Sequence, residues 1–303
     1  MEGAVTPATD QSQEQAYPPP GWVLRHSVGP AKTFHDLVPS PRPAEATSTA
    51  PVFDHQVWIH RVDRVAVVLG STQRNDALPG VDGREETGNA RPLELFDAGG
   101  GEVELCRRRS GGGLVVVHPV DSVWVDVIVP RWSPLHDDDL TKSFDWFGRC
   151  WAEMLSESLA DPPSSSVADA PSNSGSAAES GNLRVELAVP PPGRRAAERP
   201  FHCFADLGHG EVLLDGRKVV GLSQRRTRHW SRLQALAIRR WDGTAVNRLL
   251  TPMLRLPSIE SLGRPPYDAN QVAAGPGPGV TLARGPDLIR SLLGRLPPIE
   301  RLD

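Results

Sequence analysis

The sequence predicts an α+β fold, with a sheet built from hairpin-linked strands and few helices rather than a doubly wound parallel sheet. Three observations carry this expectation. Short apolar, β-branched segments recur along most of the chain, an Asp-Gly pair stands between two of them, and one strong amphipathic helix pattern interrupts the series.

In chain order, strand character falls at 57–62 (VWIHRV), 65–70 (VAVVLG), 102–106 (EVELC), 114–118 (LVVVH) and 123–129 (VWVDVIV). A second group covers 183–189, 211–215, 218–223 and 233–238, with Asp215-Gly216 as the hairpin signal between the second and third of these. The strong helix begins after Asp137, Asp138 and Asp139, whose charges suit a helix N-terminus. It presents Leu140, Phe144, Phe147, Trp151 and Leu155 on one face for packing against the sheet. Shorter helices are expected over Pro92–Ala98 and Asp287–Leu296. Residues 1–20, about 39–51 and about 160–181 are poor in large apolar side chains and rich in Pro, Ser, Ala and Gly. They read as disordered or loop-like, leaving one domain over 21–303 with an internal linker.

No basic stretch followed by an apolar run opens the sequence, and no run of about 18 apolar residues occurs, so a cytoplasmic protein without membrane contact is expected. Cys106, Cys150 and Cys203 form an odd set without a CxxC pair, which suggests neither a disulfide frame nor a metal site. The cationic side chains are almost all arginine, the only lysines being Lys32, Lys142 and Lys218. A lysine inside a motif is therefore informative, because an amine can be tuned where a guanidinium cannot.

Arg107-Arg108-Arg109-Ser110-Gly111-Gly112-Gly113 lies between two strand segments. Three glycines allow close backbone approach to a ligand, and the arginines add charge and donors. The GK[ST] ending of a phosphate-binding P-loop and the GxGxxG dinucleotide fingerprint are both missing. Lys218 stands on a strand just after the Asp215-Gly216 turn, followed by Gly221. From Arg217 to Trp241 seven arginines and Lys218 occur with no acidic residue, a local excess that implies an acidic partner. A nucleic-acid role is not expected, because no reader motif accompanies the basic strand. Cys203, between His202 and Phe204, is either a small buried hydrophobe or a nucleophile. His118, closing the LVVVH segment, is a candidate pocket residue.

Together these motifs resemble the lipoate/biotin protein ligase family. RRRSGGGLVVVH is similar to that family's glycine-rich pocket loop, DGRKVVGLSQRR to its lysine strand, and VAVVLGSTQ (65–73) to its early Leu-Gly-x-x-Gln segment, in the same order along the chain. The resemblance implies a mixed, largely antiparallel sheet flanked by helices, as in the class II synthetase-like biotin and lipoate ligases. It implies attachment of a lipoyl or octanoyl group to one lysine of an apo lipoyl carrier domain. Lys218 would contact the activated acyl group, and Arg107, Arg108, Ser110, Gly111, Gly112, Gly113, His118 and Gly221 would line the acyl site. In a bacterial-type octanoyltransferase, Cys203 carries the acyl group as a thioester taken from octanoyl acyl carrier protein. In a ligase, free lipoate or octanoate is activated with ATP and magnesium, no cofactor is tightly bound, and Cys203 is packing. The family's Gln-His-Gly segment is replaced here by Leu233-Gln234-Ala235-Leu236, which leaves open a non-catalytic acyl- or carrier-binding homologue, or a biotin protein ligase-like enzyme.

Overall fold

The computed structural model describes residues 18–42, 51–71, 73, 95–160, 183–190, 202–254, 282–283 and 285–299. The larger of its two sheets contains β1 (Trp22–Gly29), β2 (His55–Val62), β6 (Ser122–Pro130), β7 (Val185–Leu187), β8 (Val212–Leu214), β9 (Arg217–Arg226) and β10 (Trp230–Ile238). Their order is β1-β2-β6-β10-β9-β8-β7, with β1 parallel to β2 and every other pair antiparallel. The smaller sheet has the order β4-β3-β5, from β4 (Glu104–Arg107), β3 (Ala66–Leu69) and β5 (Val115–Val117). The helices are α1 (Ala31–Asp36), α2 (Asp145–Ala160), α3 (Gly243–Leu254) and α4 (Gly285–Leu293). This is the mixed, largely antiparallel α+β architecture that the sequence implies.

The pleat sorts the central strands by face, since alternate side chains point to opposite sides. On β6, Val123, Val125, Val127 and Val129 join Leu233, Ala235 and Ala237 of β10 in one core, covered by Phe147, Trp151, Met154 and Leu155 of α2 and by Leu288, Leu292 and Leu293 of α4. Trp124 of β6, with Leu236 and Ile238 of β10, faces the other way. These residues pack against Ala66 and Val68 of β3, Val115 and Val117 of β5, and Ala31 and Phe34 of α1. Both faces of the central strands are thus buried, and the Val- and Ile-rich runs lose water on each side.

Two charged residues break these apolar runs, and they meet. Asp126 of β6 receives Nε and Nη2 of Arg232 of β10, Nε2 of His60 of β2, Trp124 Nε1 and Gln234 Nε2. Burial works against the charge on Asp126, but Arg232 and then His60 outweigh it and hold the carboxyl well below its usual range. Arg232 also donates to the carbonyls of Phe34 and Leu37, while the carboxylate of Glu104 accepts the N–H groups of Ala31 and Lys32. Short α1, which no sequence signal marked, is therefore pinned at both ends.

The Asp215-Gly216 turn is as expected: both residues have positive φ, 49° and 72°, and β8 and β9 form the hairpin on either side. The helix after the aspartates begins later than the pattern suggested, with a 3₁₀ turn at Lys142–Phe144 leading into α2, and Leu140 is 62% exposed rather than packed. The aspartate triplet forms a loop whose three carbonyls accept the guanidinium of Arg226. The expected helix at Pro92–Ala98 is corrected in its described part. Phe96 bridges Glu102, and the Asp97 carboxylate accepts the N–H groups of Gly99 and Gly101, a local competition that favours a turn over a helix. Residues 1–17, 43–50 and 161–181 of the expected disordered stretches, and 92–94 of that helix, lie outside the described residues. No described helix is long and apolar enough to cross a membrane.

Candidate functional site

The three motifs converge where the two sheets meet. The glycine loop after β4 lies against the end of β3 so closely that a Cβ on Gly70 would fall 1.8 Å from the carbonyl oxygen of Gly112. Gly112 itself has φ of 102°, a conformation that suits glycine. Arg107 donates to the carbonyls of Gly70 and Gln73, tying the LGSTQ segment to the loop. Ser110 Oγ donates to Gln234 Oε1 at 2.7 Å and lies 3.1 Å from Ser223 Oγ, so the loop is also anchored to β9 and β10.

Cys203 begins a 3₁₀ turn (Cys203–Ala205) that docks on the small sheet's strand end, its N–H donating to Leu114 O at 2.7 Å. The side chain of His202 accepts the N–H of Phe204. Lys218, just past the β8–β9 turn, reaches under this segment, with Nζ 2.8 Å from Cys203 O, 3.1 Å from Asp206 O and 2.7 Å from Glu211 Oε1. All three ammonium protons are engaged by oxygen, and Cys203 Sγ lies 3.7 Å away. Burial tends to lower the Lys218 pKa, but Cys203 and Glu211 prevail and raise it, so the amine stays charged. Arg108 Nη2 stands 3.9 Å from the same sulfur and donates to Gly113 O at 3.0 Å. Two buried cations therefore flank Sγ, where negative charge on sulfur or on a neighbouring oxygen would meet them.

The sulfur sits between two spaces. Inward runs a narrow slot walled by Val115, Val117, Trp124, Phe204, Leu222 and Leu236, with His35, Arg108, Ser223 and Gln234 among its lining. Outward opens a cavity of about 580 Å³ lined by Gly111, Gly112 and Gly113, by Lys218, Asp206 and Glu211, and by Leu140, Phe144 and Arg226. Cys203, Leu222 and Ser223 border both. An apolar chain could lie inward and a polar group outward, with the junction at the sulfur.

The structure thus gathers Cys203, Lys218, Arg108, Gly221 and Gly111–Gly113 around one site, with Ser110 buried beside it. It does not bring His118 there: that ring accepts the N–H groups of Val120 and Asp121 in a turn. Sequence reasoning passed over His35, Asp126, Glu211 and Arg232. An acidic or basic residue inside an otherwise apolar strand, as in VWVDVIV and SRLQALAI, was the available signal for Asp126 and Arg232.

The basic stretch is largely paired internally. Lys218 meets Glu211, Arg226 three carbonyls, Arg232 Asp126 and Arg240 Asp121, while Arg239 donates to the carbonyls of Ala283 and Val120. Arg217 and Arg228 are exposed at either end of β9.

No protein-family model matches the chain, and no curated protein matches it in sequence. Comparison with solved structures does find similarity. A bipartite lipoate protein ligase from Thermoplasma acidophilum, described with its E2 lipoyl domain, superposes with a TM-score of 0.50 at 14% identity, over 90% of this chain and 81% of that one. The fold is that of the lipoate protein ligases. Two further structures align over 90% of this chain. One, a T. acidophilum protein named as a candidate lipoate protein ligase with bound lipoic acid, has TM-score 0.46, 12% identity and 82% of its own chain covered. The other, a lipoate-protein ligase A bound with ATP, has TM-score 0.42, 13% identity and 92% covered. Within this ligase fold the slot and cavity occupy the gap between the large sheet and the small one.

Two histidines of the site region titrate far from their usual range. Burial, then Arg108, pushes His35 down to about 3, and burial, then Lys218, does the same to His202. A histidine that is neutral when folded but titrates near 6.5 when unfolded makes the unfolded chain bind more protons between those values. Its contribution is complete above about pH 6.5 and declines as pH falls towards 3. Thermal stability is therefore expected to drop between pH 7 and 4, each histidine contributing at most about 1.4 kcal/mol per pH unit. Calorimetry of wild type against His202→Gln checks this, and an identical pH slope for both proteins would contradict the assignment.

Proposed function

We propose that residues 21–303 form an acyl-transferring member of the lipoate/biotin protein ligase family, which passes a lipoyl or octanoyl group to one lysine of a lipoyl carrier domain through a thioester on Cys203. The observation that carries this reading is the position of Sγ, at the junction of slot and cavity and between Lys218 and Arg108.

In the first step the acyl chain lies in the slot and the donor thioester reaches through the cavity. The Cys203 thiol gives up its proton, its sulfur bonds to the acyl carbon, and the donor thiol leaves with a proton. The oxyanion formed on the way is met by Arg108 and by the N–H groups the glycine loop can offer. In the second step the neutral ε-amine of the carrier lysine attacks the Cys203 thioester. An amide forms, the C–S bond breaks, and the thiol regains a proton. Octanoyl acyl carrier protein fits the donor role and an apo lipoyl domain the acceptor role.

The second reading is an ATP-dependent ligase, in which Gly111–Gly113 and Lys218 hold an acyl-adenylate in the outer cavity. The engagement of all three Lys218 protons by Cys203 O, Asp206 O and Glu211 favours the thioester route, because that lysine already holds the nucleophile turn.

The test is intact-mass analysis of the purified protein mixed with octanoyl carrier protein and apo lipoyl domain. Expected are a transient octanoyl adduct on the protein, labile to hydroxylamine, and a stable one on the lipoyl domain. Modification of the lipoyl domain that requires ATP and proceeds without any enzyme adduct would establish the ligase instead.

A further inference from the structure

The outer cavity carries a histidine–carboxylate pair that neither the nucleophile nor its cations use. His209 lines the cavity, and its Nε2 lies 2.9 Å from Asp145 Oδ1. The two side chains are 33% and 36% exposed, so a group entering the cavity can reach them. Asp145 is the first residue of α2, where the helix N-terminus favours its charge. With Nε2 donating to that carboxylate, Nδ1 of the neutral imidazole is left as an acceptor, and it makes no hydrogen bond among the described residues.

His209 and the nucleophile belong to one short segment folded around Lys218. The ammonium of that lysine holds Cys203 O, Asp206 O and Glu211 Oε1, and Glu211 Oε2 accepts the N–H of Gly208. Cys203, Asp206, His209 and Glu211 consequently line the same cavity, through which a carrier lysine would approach Sγ. The other charged groups of that lining are committed. Lys218 and Glu211 hold each other, and Glu211 also accepts the N–H of Leu222. Asp206 accepts the N–H of Leu207, and Arg226, a cation, holds the carbonyls of the aspartate loop. His209 makes no hydrogen bond to Cys203, so its free nitrogen serves the incoming amine and not the thiol.

We propose that His209, oriented by Asp145, is the catalytic base of the second step. As the C–N bond forms, the amine nitrogen gives one proton to Nδ1, directly or through one water. The C–S bond then breaks, and the imidazolium, stabilised by Asp145, returns that proton to the departing Cys203 sulfur. One proton thus passes from nitrogen to sulfur, and His209 ends neutral. This rests on the acyl-transfer reading and extends it to the proton that the transfer must move.

The experiment separates the two steps. The protein is acylated with the octanoyl thioester of N-acetylcysteamine, freed of excess reagent and mixed with apo lipoyl domain, each step being timed by intact mass. His209→Gln keeps a donor for Asp145, and so the tie between loop and helix, but it is no base. It is expected to slow transfer by about a hundredfold and acylation far less, and its acylation also reports that the variant is folded. In wild type the transfer rate is expected to fall more steeply on the acid side of about pH 5–8, where an imidazole takes up a proton. That extra pH dependence should vanish in His209→Gln. Transfer by His209→Gln at the wild-type rate, slowing of both steps by the same factor, or an unaltered pH profile overturns the base assignment while the thioester route stands. Absence of any adduct on the wild-type protein overturns both.

Discussion

Cys203→Ser is expected to abolish the acyl-enzyme adduct and to reduce transfer to the lipoyl domain by about a thousandfold or more, the scale of losing a covalent nucleophile. Serine keeps the size and the turn. Its hydroxyl, however, stays protonated near neutral pH, and no described base stands beside it. The two flanking cations, 3.7 Å and 3.9 Å from Sγ, serve an anion and offer nothing that removes an alcohol proton. Cys203→Ala should match the serine variant in activity, and both should retain wild-type melting temperatures within a few degrees, because the residue is buried with small volume. Cys106 and Cys150 provide the control: burial pushes the Cys150 thiol up to about 11 and the Cys106 thiol higher still, so their serine variants should keep the adduct. Full transfer activity in Cys203→Ser would remove the covalent route.

Asp126→Ala is expected to destabilise the fold by about 3–5 kcal/mol, because it leaves the Arg232 guanidinium buried without its counter-charge. The same change frees Trp124 Nε1, Gln234 Nε2 and His60 Nε2, so the damage extends from the sheet into the slot wall. Urea unfolding at pH 7 measures this as a lowered midpoint with an unchanged slope. The double replacement Asp126→Leu with Arg232→Met removes both charges and is expected to recover much of the stability. It should not recover activity, since the carbonyls of Phe34 in α1 and of Leu37 just after it lose their donor and Gln234 loses its anchor. A loss below about 1 kcal/mol in Asp126→Ala would show that water reaches the pair.

The strands were legible because their signal is local: β-branched runs for the central strands, and an Asp-Gly turn that needs positive φ at both positions. The glycine loop and the lysine strand were legible because their chemistry is written in consecutive residues. What escaped was set at a distance. β1 buries only Trp22 fully and owes its place to parallel pairing with β2. α1 has six residues and no side-chain cap of its own, and it is held by Glu104 and Arg232 from elsewhere in the chain. The positive charge of 217–241 reads as a surface in sequence because its counter-charges, Glu211, Asp126 and Asp121, lie outside that window. His118 illustrates the converse: adjacency to the glycine loop in sequence placed it near the site, but β5 carries it to the far end of the small sheet.

An amine 3.7 Å from a thioester sulfur is ordinarily a hazard, because acyl groups migrate from sulfur to nitrogen and the resulting amide does not return. In the proposed intermediate Lys218 holds that position relative to Cys203. Its nitrogen is already committed: the Glu211 carboxylate and the carbonyls of Cys203 and Asp206 hold its three protons. Glu211 thereby acts as a guard against self-inactivation, since it keeps the nearest amine from competing with the carrier lysine. The scarcity of other lysines works in the same direction, as guanidinium groups stay protonated and do not accept acyl groups at neutral pH.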